Sequence, residues 1–90
     1  MTPNQASNLD TLGNKLATAA LTTLIRLCPE IRTASYERRE AALVAMRAKS
    51  GEAIDELLEG GKACPWMAET IFASAVMTLV KAGIKVLRGN

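Results

Sequence analysis

Apolar residues recur every three or four positions along most of this chain. Leu9, Leu12, Leu16, Ala20, Leu24 and Leu27 form the first series, and Leu21, Ile25 and Cys28 widen it. That spacing predicts an amphipathic helix. Ser7 or Asn8 is the expected cap, with Asp10 in the first turn, where a carboxylate meets the positive end of the helix dipole. Residues 1–6 read as a polar, frayed start. Gly13 weakens the helix without ending it. Pro29 ends it, because a proline pushes the residue before it out of helical geometry.

A short connection over 29–34 leads to a second helix, capped by Thr33 or Ser35, with Glu37 in its first turn. Its apolar positions are Tyr36, Leu43, Val44 and Met46. Ser50-Gly51 can close one helix or open another, yet Leu43, Met46, Ile54, Leu57 and Leu58 stay roughly in phase across it. The expectation is a kink or short break, a third helix from about Glu52 to Glu59, and a stop at Gly60-Gly61.

Pro65 suits the first turn of the last helix, which runs from Trp66 to about Leu87. Thr70, Ser74, Thr78, Lys81, Lys85 and Arg88 form one narrow polar stripe on it, and nearly everything else is apolar. A helix apolar over most of its circumference must be covered on several sides. No alternating strand pattern or Asn-Gly or Asp-Gly hairpin turn appears. The fold class is therefore all-α: one domain over 1–90, a small bundle of three to four helices with a long, amphipathic to apolar C-terminal helix.

Composition tightens this picture. Of 90 residues, 15 are alanine and only three are aromatic, Tyr36, Trp66 and Phe72. Alanine favours helix but buries little area, so the core is thin and self-association is a natural way to strengthen it. Net charge is only +2, carried unevenly: residues 1–49 hold seven basic and four acidic groups, residues 50–90 four and five. No leader with a basic start and an apolar stretch opens the chain, and no run approaches the roughly 18 apolar residues of a membrane span. The expected setting is cytoplasmic, with reduced thiols and no membrane span.

Candidate chemistry is sparse. With no histidine, the commonest metal ligand and acid–base group is missing. Cys28 and Cys64 lack the spacing of a zinc site. An up-down-up-down bundle would bring the end of helix 1 near the start of helix 4 and admit a disulfide, but two small buried thiols is the favoured reading. The two Cys-Pro pairs, 36 residues apart, read as coincidence rather than as a helical-hairpin repeat. Glu52, Asp55, Glu56 and Glu59 read as a solvated acidic face. A basic stripe on the last helix could favour a membrane surface, but its polar face is too narrow and too rich in Ser and Thr. No catalytic, cofactor or metal site is assigned.

These features favour a non-enzymatic protein that acts through protein–protein contacts, an adaptor or an inhibitor that occludes a larger protein, of the size that phages and plasmids encode. A homodimer through the last helix is expected. The interface candidates are Trp66, Met67, Ile71, Phe72, Val76, Leu79, Val80, Ile84 and Leu87, with Arg38, Arg39, Arg47 and Lys49 as contacts for an anion or an acidic partner. The alternative is a small dimeric nucleic-acid-binding regulator using the basic first half. A helix-turn-helix at Gly51 would place the acidic segment 52–59 against DNA phosphates, which argues against that version.

Overall fold

The computed structural model describes residues 3–89, with side chains described from Thr11 onward. Helix α1 runs over Pro3–Leu27, α2 over Tyr36–Ala48, α3 over Ser50–Ala63 and α4 over Ala68–Arg88. Two 3-10 turns, Pro29–Arg32 and Pro65–Met67, connect them. The described residues contain no strand, so the chain is an all-α helical bundle.

Most helix boundaries have local causes. Ser35 is extended and its hydroxyl accepts the Arg38 amide at 3.2 Å, capping α2. Pro29 and Pro65 end the helices before them. Cys28 (φ −133°, ψ 71°) and Cys64 (φ −140°, ψ 72°) adopt nearly the same non-helical backbone, and each leads into a 3-10 turn that starts at its proline. The two Cys-Pro pairs are thus equivalent as local structure. Gly89 closes α4 in the left-handed conformation (φ 71°) that favours glycine.

Three expectations are corrected here. Ser7 and Asn8 lie inside α1, not at its cap, because the helical backbone already includes residue 3; their side chains, and that of Asp10, lie outside the described ones. The frayed start is helical over residues 3–6, and residues 1–2 lie outside the described residues. Gly60-Gly61 does not stop α3, which continues to Ala63. Gly60 serves a different purpose: it lets α3 approach α4 so closely that a Cβ there would sit 2.9 Å from Ile71 Cγ2.

The topology is up, down, up. Helices α2 and α3 are separated only at Lys49, and the Ala53 amide still donates to the Lys49 carbonyl at 3.0 Å. They form one bent arm antiparallel to α4. Arg38 reaches the Leu87 carbonyl, Met46 packs over Gly83, Glu56 meets Ser74 and Thr78, and Gly60 meets Ile71. Helix α1 is parallel to α4, with its end at Leu27 hydrogen-bonded to Arg88. Helix α4 packs against each of the other three.

The core follows from that central position. Leu16, Ala20 and Leu24 of α1, with Cys28 just after it, share one buried cluster with Ala42 and Met46 of α2, Ala53 of α3, and Ala75, Val76, Leu79, Val80 and Leu87 of α4. Alanine at so many core positions allows close helix approach and limits the apolar area buried. The reading that no segment approaches span length is also corrected. The 24 residues Pro65–Arg88 include an 18-residue window with mean hydropathy 1.6, enough for a span by length and composition. In the folded chain this segment is the helix around which the others pack.

Candidate functional site

The expected interface residues on α4 and the turn before it separate into three groups. Val76, Leu79, Val80 and Leu87 are buried in the chain's own core. Ile71, Phe72 and Ile84 are half-buried. Trp66 and Met67 are exposed, Trp66 at 80%. The larger part of the α4 apolar surface is thus already covered by α1, α2 and α3.

Trp66 stands on the 3-10 turn between the bent arm and α4. The turn is anchored on both sides: the Cys64 amide donates to the Gly60 carbonyl at 2.8 Å, and the Met67 amide to the Cys64 carbonyl at 2.9 Å. Pro65 fixes one backbone angle between them. Trp66 therefore projects from a short, hydrogen-bonded turn and does not cap the end of the core, where a buried tryptophan would more commonly sit.

A second exposed apolar region spans α1 and α2, which barely touch each other. Between them lies an open groove of about 160 Å³, with Leu79 at its base, Ala17 and Leu21 on one wall, and Leu43 and Arg47 on the other. Leu21 and Ile25 are each 38% exposed, while Val44 and Tyr36 are more open still. Helix α2 buries only Ala42 and Met46, so its expected apolar positions Tyr36 and Val44 face outward. Sequence periodicity missed this because it marks Tyr36 and Val44 as apolar without showing that the alanine at 42 takes the central packing position.

The basic candidates do not form one patch. Arg38 donates to the Leu87 carbonyl at 3.2 Å and Lys49 pairs with Glu52 at 3.3 Å. Arg47 lies on the groove wall, and Glu37 and Glu40 interrupt the run. The acidic segment is also divided. Glu56 accepts hydrogen bonds from Ser74 and Thr78, which places the front of the α4 polar stripe against α3. Among the described residues, no three His, Cys, Asp or Glu side chains are grouped to hold a metal ion.

The cysteines sit at opposite ends of the bundle. Cys28 lies by the end of α1, beside the end of α4, and Cys64 precedes the start of α4. At 1.5 Å per residue, α4 separates them by roughly 30 Å, far beyond the ~7 Å Cα limit for a disulfide. Both are free thiols. The disulfide geometry inferred from a four-helix topology fails because α2 and α3 form one arm, so α1 and α4 run parallel.

Cys28 belongs to a small polar network that sequence spacing did not reveal. Its Sγ donates to Glu30 Oε2 at 3.1 Å, and Arg88 Nε donates to the same oxygen at 3.0 Å. Arg88 also bonds the Leu27 carbonyl at 3.3 Å. Burial, then the bond to Glu30, raises the Cys28 thiol above its usual range. The bonds from Cys28 and Arg88 lower the Glu30 carboxyl. This holds Cys28 protonated and makes it a poor nucleophile. The network ties the ends of α1 and α4 together.

No protein-family model matches this chain, and neither a curated protein nor a solved structure is significantly similar to it.

Proposed function

We propose that this protein is a non-enzymatic binding module, an adaptor or inhibitor that docks on a larger protein through the Trp66–Met67 turn. The observation that carries the reading is the 80% exposure of Trp66. Tryptophan supplies more contact area than any other side chain and is enriched among the few residues that dominate binding energy. Holding it on a hydrogen-bonded turn lowers the entropy lost on docking. Met67, 42% exposed, adds an adaptable apolar neighbour.

The test is capture from a native lysate by tagged wild-type protein and by Trp66→Ala. A protein retained by wild type and lost with Trp66→Ala, while the variant keeps its helical signal and melting temperature, supports the reading. Equal capture by both removes Trp66 from the contact. Binding to duplex DNA that weakens steeply with salt would favour a nucleic-acid-binding regulator instead.

A further inference from the structure

We infer that the exposed face of α2 pairs with the same face of a second copy, the two α2 helices running antiparallel about a twofold axis. Glu40, Leu43, Val44 and Arg47 follow one another at short steps along this helix, with Glu40, Leu43 and Arg47 three or four apart and Val44 four after Glu40, so they share a side. Val44 is exposed at 57%, and Leu43 is half-buried on the groove wall. Glu40 and Arg47 are exposed. Neither forms an ion pair among the described residues.

The order acid, apolar pair, base is self-complementary. A twofold contact requires that when residue i of one chain meets residue j of the other, j also meets i. With the axis between Leu43 and Val44, Glu40 of each copy falls opposite the partner's Arg47, and Leu43 falls opposite the partner's Val44. The apolar residues occupy the centre and two equivalent ion pairs flank them, the arrangement that sets orientation and register between paired helices. A parallel arrangement would set Glu40 against Glu40 and Arg47 against Arg47.

The neighbouring α1 edge enlarges the contact. Helix α2 alone is about 20 Å long and covers too little surface for a stable pair, which takes roughly 800 Å² from each partner. Leu21 lines the same groove as Leu43 and Arg47, and Ile25 follows it one turn on, so the apolar face continues across the groove. This interface leaves the Trp66 turn out of the contact, and its test does not depend on that proposal.

The experiment is sedimentation equilibrium of the full chain with charge-reversal variants. Wild type should reach twice its 9.6 kDa chain mass as concentration rises. Glu40→Lys and Arg47→Glu, each at an exposed position, should keep the wild-type melting profile as monomers and weaken self-association by about tenfold or more. Mixing the two variants should restore the dimer. The two reversed side chains then meet at one end of the contact, with opposite charges, and the unaltered Arg47 of one variant meets the unaltered Glu40 of the other at the second end. A wild type that stays at the chain mass up to concentrations on the order of 1 mM would overturn the inference and leave the face to another occupant. So would a dimer unaffected by either reversal, or single variants whose mixture stays monomeric.

Discussion

Gly60 of α3 rests against Ile71 of α4 so closely that a Cβ at position 60 would lie 2.9 Å from Cγ2 and 3.0 Å from Cδ1 of the isoleucine. Cγ2 is bonded directly to Cβ, and a β-branched side chain in a helix has one strongly preferred rotamer. The isoleucine therefore yields only at a cost, and an added methyl forces its side chain or the helix pair to shift. Next to it, Gly61 has nothing within 4 Å of its would-be Cβ. Both are helical. Gly60→Ala should destabilise the protein by roughly 1–3 kcal/mol through overpacking, despite alanine's better helix propensity. Gly61→Ala should stabilise it by about 0.5–1 kcal/mol. Urea melts of the two variants check this, and shifts of the same sign would contradict the packing.

Val80 is fully buried and Ile71 is half-buried. Val80→Asp should cost on the order of 3–5 kcal/mol, because a charge would enter the core with no partner. Ile71→Asp should cost less, since water reaches that position. Thermal denaturation followed by circular dichroism checks the order. A Val80→Asp protein that melts like wild type would mean that α4 is not the central helix.

The two thiols should differ in reactivity. Cys28 is buried and held protonated by its surroundings, while Cys64 is partly open. Alkylation of the native protein should therefore modify Cys64 well before Cys28. Mild oxidation should yield no intramolecular disulfide, because the length of α4 lies between the sulfurs. Mass spectrometry of the oxidised monomer reads this directly. A loss of two hydrogens within one chain would contradict the parallel arrangement of α1 and α4.

Glu30 contributes a stability term that depends on pH. Its hydrogen bonds from Cys28 and Arg88 lower its carboxyl pKa in the folded chain. The contribution is therefore complete above the unfolded-state value, about 4.3 for glutamate, and is lost as pH falls through the lower folded value. Glu30 and Arg88 are half exposed, so the effect is small. Glu30→Gln should melt slightly below wild type near neutral pH, and the gap should close in strong acid. A gap that stays constant across that range would mean that the charge of Glu30 is not involved.

Much of the fold is legible in the order of residues, and the exceptions are instructive. The apolar period of α1, the stop at Pro29, the cap at Ser35 and the end of α4 near Leu87 each arise from interactions within a few residues, which sequence spacing reports; the start of α4 falls at Ala68, after a separate 3-10 turn over Pro65–Met67. The role of Gly60 depends on Ile71, eleven positions later and on another helix, so the Gly60-Gly61 pair reads locally as a helix end. The parallel course of α1 and α4 depends on whether α2 and α3 bend or reverse at Lys49. Spacing across Ser50-Gly51 stays in phase and favours a bend, whereas a disulfide between Cys28 and Cys64 requires a reversal there. The site is less legible still. Helix α4 is apolar nearly all round, and only the packing of its neighbours decides that Val80 is hidden while Trp66 stands in solvent.

The most direct measurement of the central claim is hydroxyl-radical footprinting of Trp66 and Met67, read by mass spectrometry on the free protein and on the complex it forms with its captured partner. Both residues should be heavily oxidised when the chain is free, because both are exposed, and strongly protected in the complex. Equal oxidation of Trp66 in the two states would contradict the assignment of this turn as the docking surface.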